Sequence, residues 1–89
     1  MEEQNIDIKE EHEKSVDFYE VKIAASAKYC IREAVGRLLE YAFHYETTKE
    51  KRCIIVGNHT LVGLEDYFTH LKELFSPFQL EYEHGVVLE

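Results

Sequence analysis

Polar and apolar residues alternate from Asn5 to Lys9, and the charged stretch Glu10 to Ser15 that follows has the length of a hairpin loop. Val16 to Ala24 reads as a second strand, since Phe18, Tyr19, Val21 and Ile23 are aromatic or β-branched and no Gly or Pro interrupts them. With a period of two, Val16, Phe18, Glu20, Lys22 and Ala24 share one face, while Asp17, Tyr19, Val21 and Ile23 share the other. Ser26 then suits the cap of a helix reaching about Tyr45, whose apolar stripe is Ala27, Ile31, Ala34, Val35, Leu38 and Ala42. Gly36 inside that helix hints at the close approach of another backbone.

After a polar loop from Glu46 to Lys51, Arg52 to Gly57 carries the continuous run Cys-Ile-Ile-Val, typical of a central strand covered on both faces. A helix between two such strands implies a parallel crossover. Apolar positions 64, 67, 68, 71, 74 and 75 predict a second helix that Ser76-Pro77 stops, and Phe78 to Tyr82 alternates as a last strand. The expected fold is α/β, with a mixed sheet in the order β-β-α-β-α-β.

Composition narrows the class. Eighty-nine residues, 45% hydrophobic, make a single small domain with a real core. No apolar run spans a bilayer and the acidic start Met1-Glu2-Glu3 is unlike a secretory signal, which points to the cytoplasm and no membrane partner. Cys30 and Cys53 fit as buried free thiols of a reducing compartment. The terminal Leu88-Glu89 reads as a cloning scar, leaving residues 1–87 as one domain, an excised C-terminal part of a larger protein.

The net charge of −8 argues against general affinity for nucleic acid, although residues 1–14 hold −4 of it. Beyond them Lys22, Lys28, Arg32 and Arg37 offer either a local phosphate-facing patch or a solvated helix face. Asp7 and Glu20 are 13 positions apart, a gap that a hairpin closes to set them side by side, with Lys22 beside them. Adjacent carboxylates repel unless a cation lies between, and oxygen ligands suit Mg²⁺ or Mn²⁺. Such an ion activates water for phosphodiester hydrolysis, in which an ammonium offsets developing charge. Asp17 is a rival third carboxylate, although it faces away from Glu20 in a regular strand. The histidines, residues 12, 44, 59, 70 and 84, show no zinc-ligand spacing.

With Phe18-Tyr19-Glu20-Val21-Lys22 the chain resembles the PD-(D/E)xK (restriction-endonuclease-like) nuclease superfamily, in which an Asp on one strand and Glu-x-Lys on the next form the metal site. The likeness continues through Ile31 to Tyr41, similar to the Gln-x-x-x-Tyr helix of many members, with Arg37 where Gln is usual. It implies a partial core without the N-terminal helix and strand, since only six residues precede Asp7. It also implies Asp7 and Glu20 as metal ligands, Lys22 as a catalytic partner and Arg37 and Tyr41 at the substrate. The expected activity is Mg²⁺-dependent endo- or exonuclease cleavage of DNA, completed by the remainder of a parent protein. The alternative is a catalytically inactive nuclease-fold domain that serves as an interaction or dimerisation module, including a homodimer.

Overall fold

The computed structural model describes residues 6–85, and of residues 6 and 7 the backbone alone. The elements are β1 (Ile6–Glu11), β2 (Ser15–Lys22), α1 (Ala27–His44), β3 (Glu50–Gly57), α2 (Glu65–Phe75) and β4 (Gln79–His84), the expected order of an α/β chain. They form one mixed sheet of four strands in the order β1-β2-β3-β4. β1 runs antiparallel to β2, and β3 runs parallel to both β2 and β4. Leu88 and Glu89 lie outside the described residues.

The hairpin is tighter than its charge suggests. Glu10 and Glu11 belong to β1, and the chain reverses through His12 to Lys14, where the His12 N–H donates to the Ser15 carbonyl at 2.8 Å. Both glutamates are exposed, so an edge strand keeps them hydrated and their polarity marks an edge rather than a loop. α1 begins as expected: Ser26 is extended and its Oγ accepts from the Tyr29 N–H at 3.3 Å. Its buried stripe is Ala27, Cys30, Ile31, Ala34, Leu38 and Ala42, with Val35 half-buried against the core. α2 has no side-chain cap, but Glu65 and Asp66 in its first turn suit the positive end of the helix dipole.

Both crossovers step the sheet in the same direction, and right-handed connections of that kind leave both helices on one face. There Ile31, Ala34 and Leu38 of α1 and Phe68 and Phe75 of α2 meet Val16, Phe18, Cys53, Ile55 and Leu80 of the sheet. Cys53 and Ile55 therefore face the helices, and by alternation Ile54 and Val56 face the opposite side. This corrects the expectation of a strand covered on both faces. Among the described residues no helix lies on the second face, where Ile54 is nevertheless buried beside its register neighbours Tyr19 and Glu81. Tyr67 also departs from the expected stripe and is exposed. No helix among the described residues is long and apolar enough to cross a membrane.

Gly36 does not mark a close approach, since a Cβ built there meets nothing within 4 Å. That role falls to Gly57, where a Cβ would overlap the Tyr82 hydroxyl and stand 3.1 Å from Cys30 Sγ. Gly36→Ala should consequently raise stability by about 0.4–1 kcal/mol, because it restricts the unfolded chain and suits a helix interior. Thermal denaturation with a lowered midpoint for this variant would contradict the open space at the site.

Cys30 and Cys53 are free and fully buried. Burial pushes the Cys53 thiol from its ordinary value of 9.0 up to about 12. The folded chain then keeps a proton that the unfolded chain releases near pH 9, so this group supports folding below pH 9 and withdraws that support as pH rises toward 12. A thiol reagent at pH 8 should find neither cysteine in the native protein and both after denaturation. Rapid native labelling of Cys53 would contradict its burial.

Candidate functional site

Alternation along β2 points Val16, Phe18, Glu20 and Lys22 toward α1, and the first two are core residues. Glu20 continues that apolar row as a charge, at 0% exposure. Such burial of a carboxylate needs compensation, which two cations provide. Lys22 Nζ stands 3.5 Å from Glu20 Oε2, and Arg37 Nε reaches the same oxygen from α1 at 3.7 Å. Arg37 also donates from Nη1 to the Tyr41 hydroxyl at 3.1 Å, one helical turn on. The Tyr41 ring leans on Phe18, with centroids 6.5 Å apart.

The strand end is held from below. The Ala24 N–H donates to Asn58 Oδ1 at 3.1 Å, His59 Nε2 lies 2.7 Å from the Ala24 carbonyl, and the Cys30 thiol donates to the Lys22 carbonyl at 3.6 Å. These contacts tie the exit of β2 to the loop after β3 and to the first turn of α1, and so set the position of Lys22. Outside the ion pairs a polar cleft of about 590 Å³ opens, lined by Lys22, Glu33, Arg37 and Glu40. A more apolar hollow of about 480 Å³ adjoins it across Glu40, with Lys9, Phe18, Tyr41, His44 and Tyr45 in its wall.

Four of the five residues singled out by sequence thus converge: Glu20, Lys22, Arg37 and Tyr41. The fifth, Asp7, stands directly opposite Glu20 in the β1–β2 register, and its side chain lies outside the described residues. Asp17, the rival carboxylate, is buried on the other face of β2 beside Arg52 and does not join them. The basic patch divides. Lys22 and Arg37 reach Glu20, whereas Lys28 is exposed and Arg32 lies over the Tyr29 ring at 5.5 Å.

One cluster escaped the sequence reading. Glu10, His12 and Asp17 bring one possible ligand atom each to within 4.8 Å of one another on the face away from the helices. The signal was Glu10-x-His12, two positions on one side of a strand, together with a hairpin short enough to pair Glu10 with Asp17. A search for histidine pairs passes over it.

No protein-family model matches the chain, nor does any curated protein or solved structure.

Proposed function

We propose that this chain is a metal-dependent nuclease-like domain of the PD-(D/E)xK kind, hydrolysing phosphodiester bonds of DNA. The observation that carries the reading is the meeting of Glu20 and Lys22 from β2 with Arg37 and Tyr41 from α1, at the position where the register sets Asp7 opposite Glu20. The donor chemistry fits a hard cation: Glu20 offers carboxylate oxygens from a buried strand, and Asp7 is the residue that the register sets opposite it. When bound there by Asp7 and Glu20, Mg²⁺ or Mn²⁺ supplies polarisation of a phosphoryl oxygen and a lowered pKa for a nearby water.

The chain's own groups do the rest. Lys22 carries an ammonium to the edge of the cleft, where it orients an attacking water and offsets the charge that builds on the phosphoryl oxygens. Arg37 presents its guanidinium to the same cleft and suits a phosphate oxygen better than the amide of Gln would. Tyr41 accepts the Arg37 hydrogen bond and holds that guanidinium in place. With a net charge of −8, grip on the DNA backbone falls to this local pair and to further surface in a longer parent protein. Two buried thiols suit a cytoplasmic setting.

The test is a DNA-cleavage assay on the chain, and on any longer protein that contains it, with Mg²⁺, with Mn²⁺ and with EDTA. Cleavage that persists in EDTA removes the metal from the mechanism. Absence of both cleavage and calorimetric Mg²⁺ binding moves the preference to the second reading, an inactive fold used as an interaction or dimerisation module. That reading draws on the sheet face that no helix covers among the described residues. Sedimentation would then find a self-associated chain.

A further inference from the structure

The hairpin carries a second constellation, on the face of β2 opposite Glu20. Glu10 on β1 pairs in register with Asp17 on β2, and His12 begins the turn between them. His12 Nε2 stands 3.3 Å from Asp17 Oδ2 and 3.6 Å from Glu10 Oε1. The two carboxylate oxygens call for an Nε2–H donor or a positive centre among the three atoms. Arg52 answers only part of that demand, with Nη1 3.5 Å from Asp17 Oδ2, and the Tyr19 hydroxyl donates to Glu10 Oε1 at 3.4 Å. Asp17 is 3% exposed, and its Oδ1 is buried with no hydrogen-bond partner among the described residues. With Oδ2 turned to His12 and Arg52, the buried Oδ1 still lacks a partner, which leaves the carboxylate room for a ligand outside the polypeptide.

We infer that Glu10, His12 and Asp17 form a Zn²⁺-binding site. Tetrahedral Zn²⁺ with ligands at about 2.0–2.1 Å has ligand-to-ligand edges of about 3.3–3.4 Å. The two separations from His12 Nε2 lie at or slightly above that value, and all three ligand atoms lie within 4.8 Å of one another, so a modest side-chain movement closes them on an ion. One imidazole nitrogen among carboxylates favours Zn²⁺ over Mg²⁺, which takes oxygens only and holds its water. The Glu10 and His12 side chains are 57% and 45% exposed, so the ion has an entry path and a fourth position for water. Asp17 supplies the buried wall, with Arg52 retained as the group that orients its carboxylate. The bound ion would clamp β1 to β2 at the turn.

Calorimetric titration of the 89-residue chain with ZnCl₂, in excess MgCl₂ to occupy any oxygen-only site, tests the assignment. A single Zn²⁺ site is expected. His12→Ala and Asp17→Asn should each weaken it by more than the roughly 10–100-fold that loss of a supporting outer group costs. Circular dichroism confirms folding of each variant, and Glu10→Gln replaces Asp17→Asn if that variant fails to fold. Cobalt(II) substitution should give visible absorption bands of a tetrahedral site that vanish in His12→Ala. Absence of Zn²⁺ binding by the parent chain, or an affinity that either ligand variant leaves unchanged, overturns the proposal. Because the ligands lie on opposite faces of β2, this outcome is independent of the cleavage assay.

Discussion

Lys22→Ala should reduce metal-dependent DNA cleavage by roughly 10²–10³-fold at matched folded concentration, the scale on which loss of one group aimed at developing charge is felt. The comparison needs that matching. A lysine exposed beside a carboxylate would contribute only about 0–1 kcal/mol to stability. In the fold, however, the Lys22 side chain is 12% exposed and Glu20 is fully buried, so the pair is an interior one. Removing a buried partner typically costs about 3–5 kcal/mol, here moderated because Arg37 also faces Glu20. Lys22→Met keeps the packing of the side chain but also leaves the Glu20 charge to Arg37 alone, so it too should lose stability, and read at matched folded concentration it should cleave as poorly as Lys22→Ala. Cleavage by Lys22→Met at the parent rate would remove Lys22 from the chemistry, whatever its part in folding.

Leu38→Ala should destabilise the domain by about 2–5 kcal/mol. Leu38 is 0% exposed at the centre of the α1 stripe, and the Cys53 thiol of β3 lies 3.8 Å from its carbonyl. Stability of a domain this size is commonly about 5–15 kcal/mol, so the loss is a large share of the whole. Urea denaturation should show a lower midpoint with an unchanged slope. An unmoved midpoint would mean that this face of α1 does not pack on the sheet.

The order of elements was legible because each carries its own period: two along β2, three and four along α1 and α2. What the period could not supply was the number of covered faces. Cys-Ile-Ile-Val on β3 looks alike whether Ile54 meets a helix or is shielded by its neighbours in the sheet, and here Cys53 and Ile55 take the helix side. Glu20 and Lys22 were readable as neighbours from alternation alone. That Arg37 and Tyr41 reach them depends on where the crossover lays α1, a tertiary fact that a helical repeat does not encode. The Glu10, His12 and Asp17 cluster was hidden by a misjudged turn, since a loop from Glu10 to Ser15 would leave Glu10 without a partner strand.

That short turn has a consequence for how the chain tolerates change. One register pairs Asp7 with Glu20 and Glu10 with Asp17, and the three residues His12 to Lys14 fix it. β2 is anchored by Val16 and Phe18 in the core, so a length change in the turn has to be absorbed by β1. Inserting a single residue between Glu13 and Lys14 would slide β1 by one place and send its side chains to the opposite face, because the repeat of a strand is two. Glu10 would leave Asp17, and position 7 would leave its place opposite Glu20. Substitutions at Glu13 or Lys14 that preserve the count would leave both pairs intact, so the turn is permissive in residue type and strict in length.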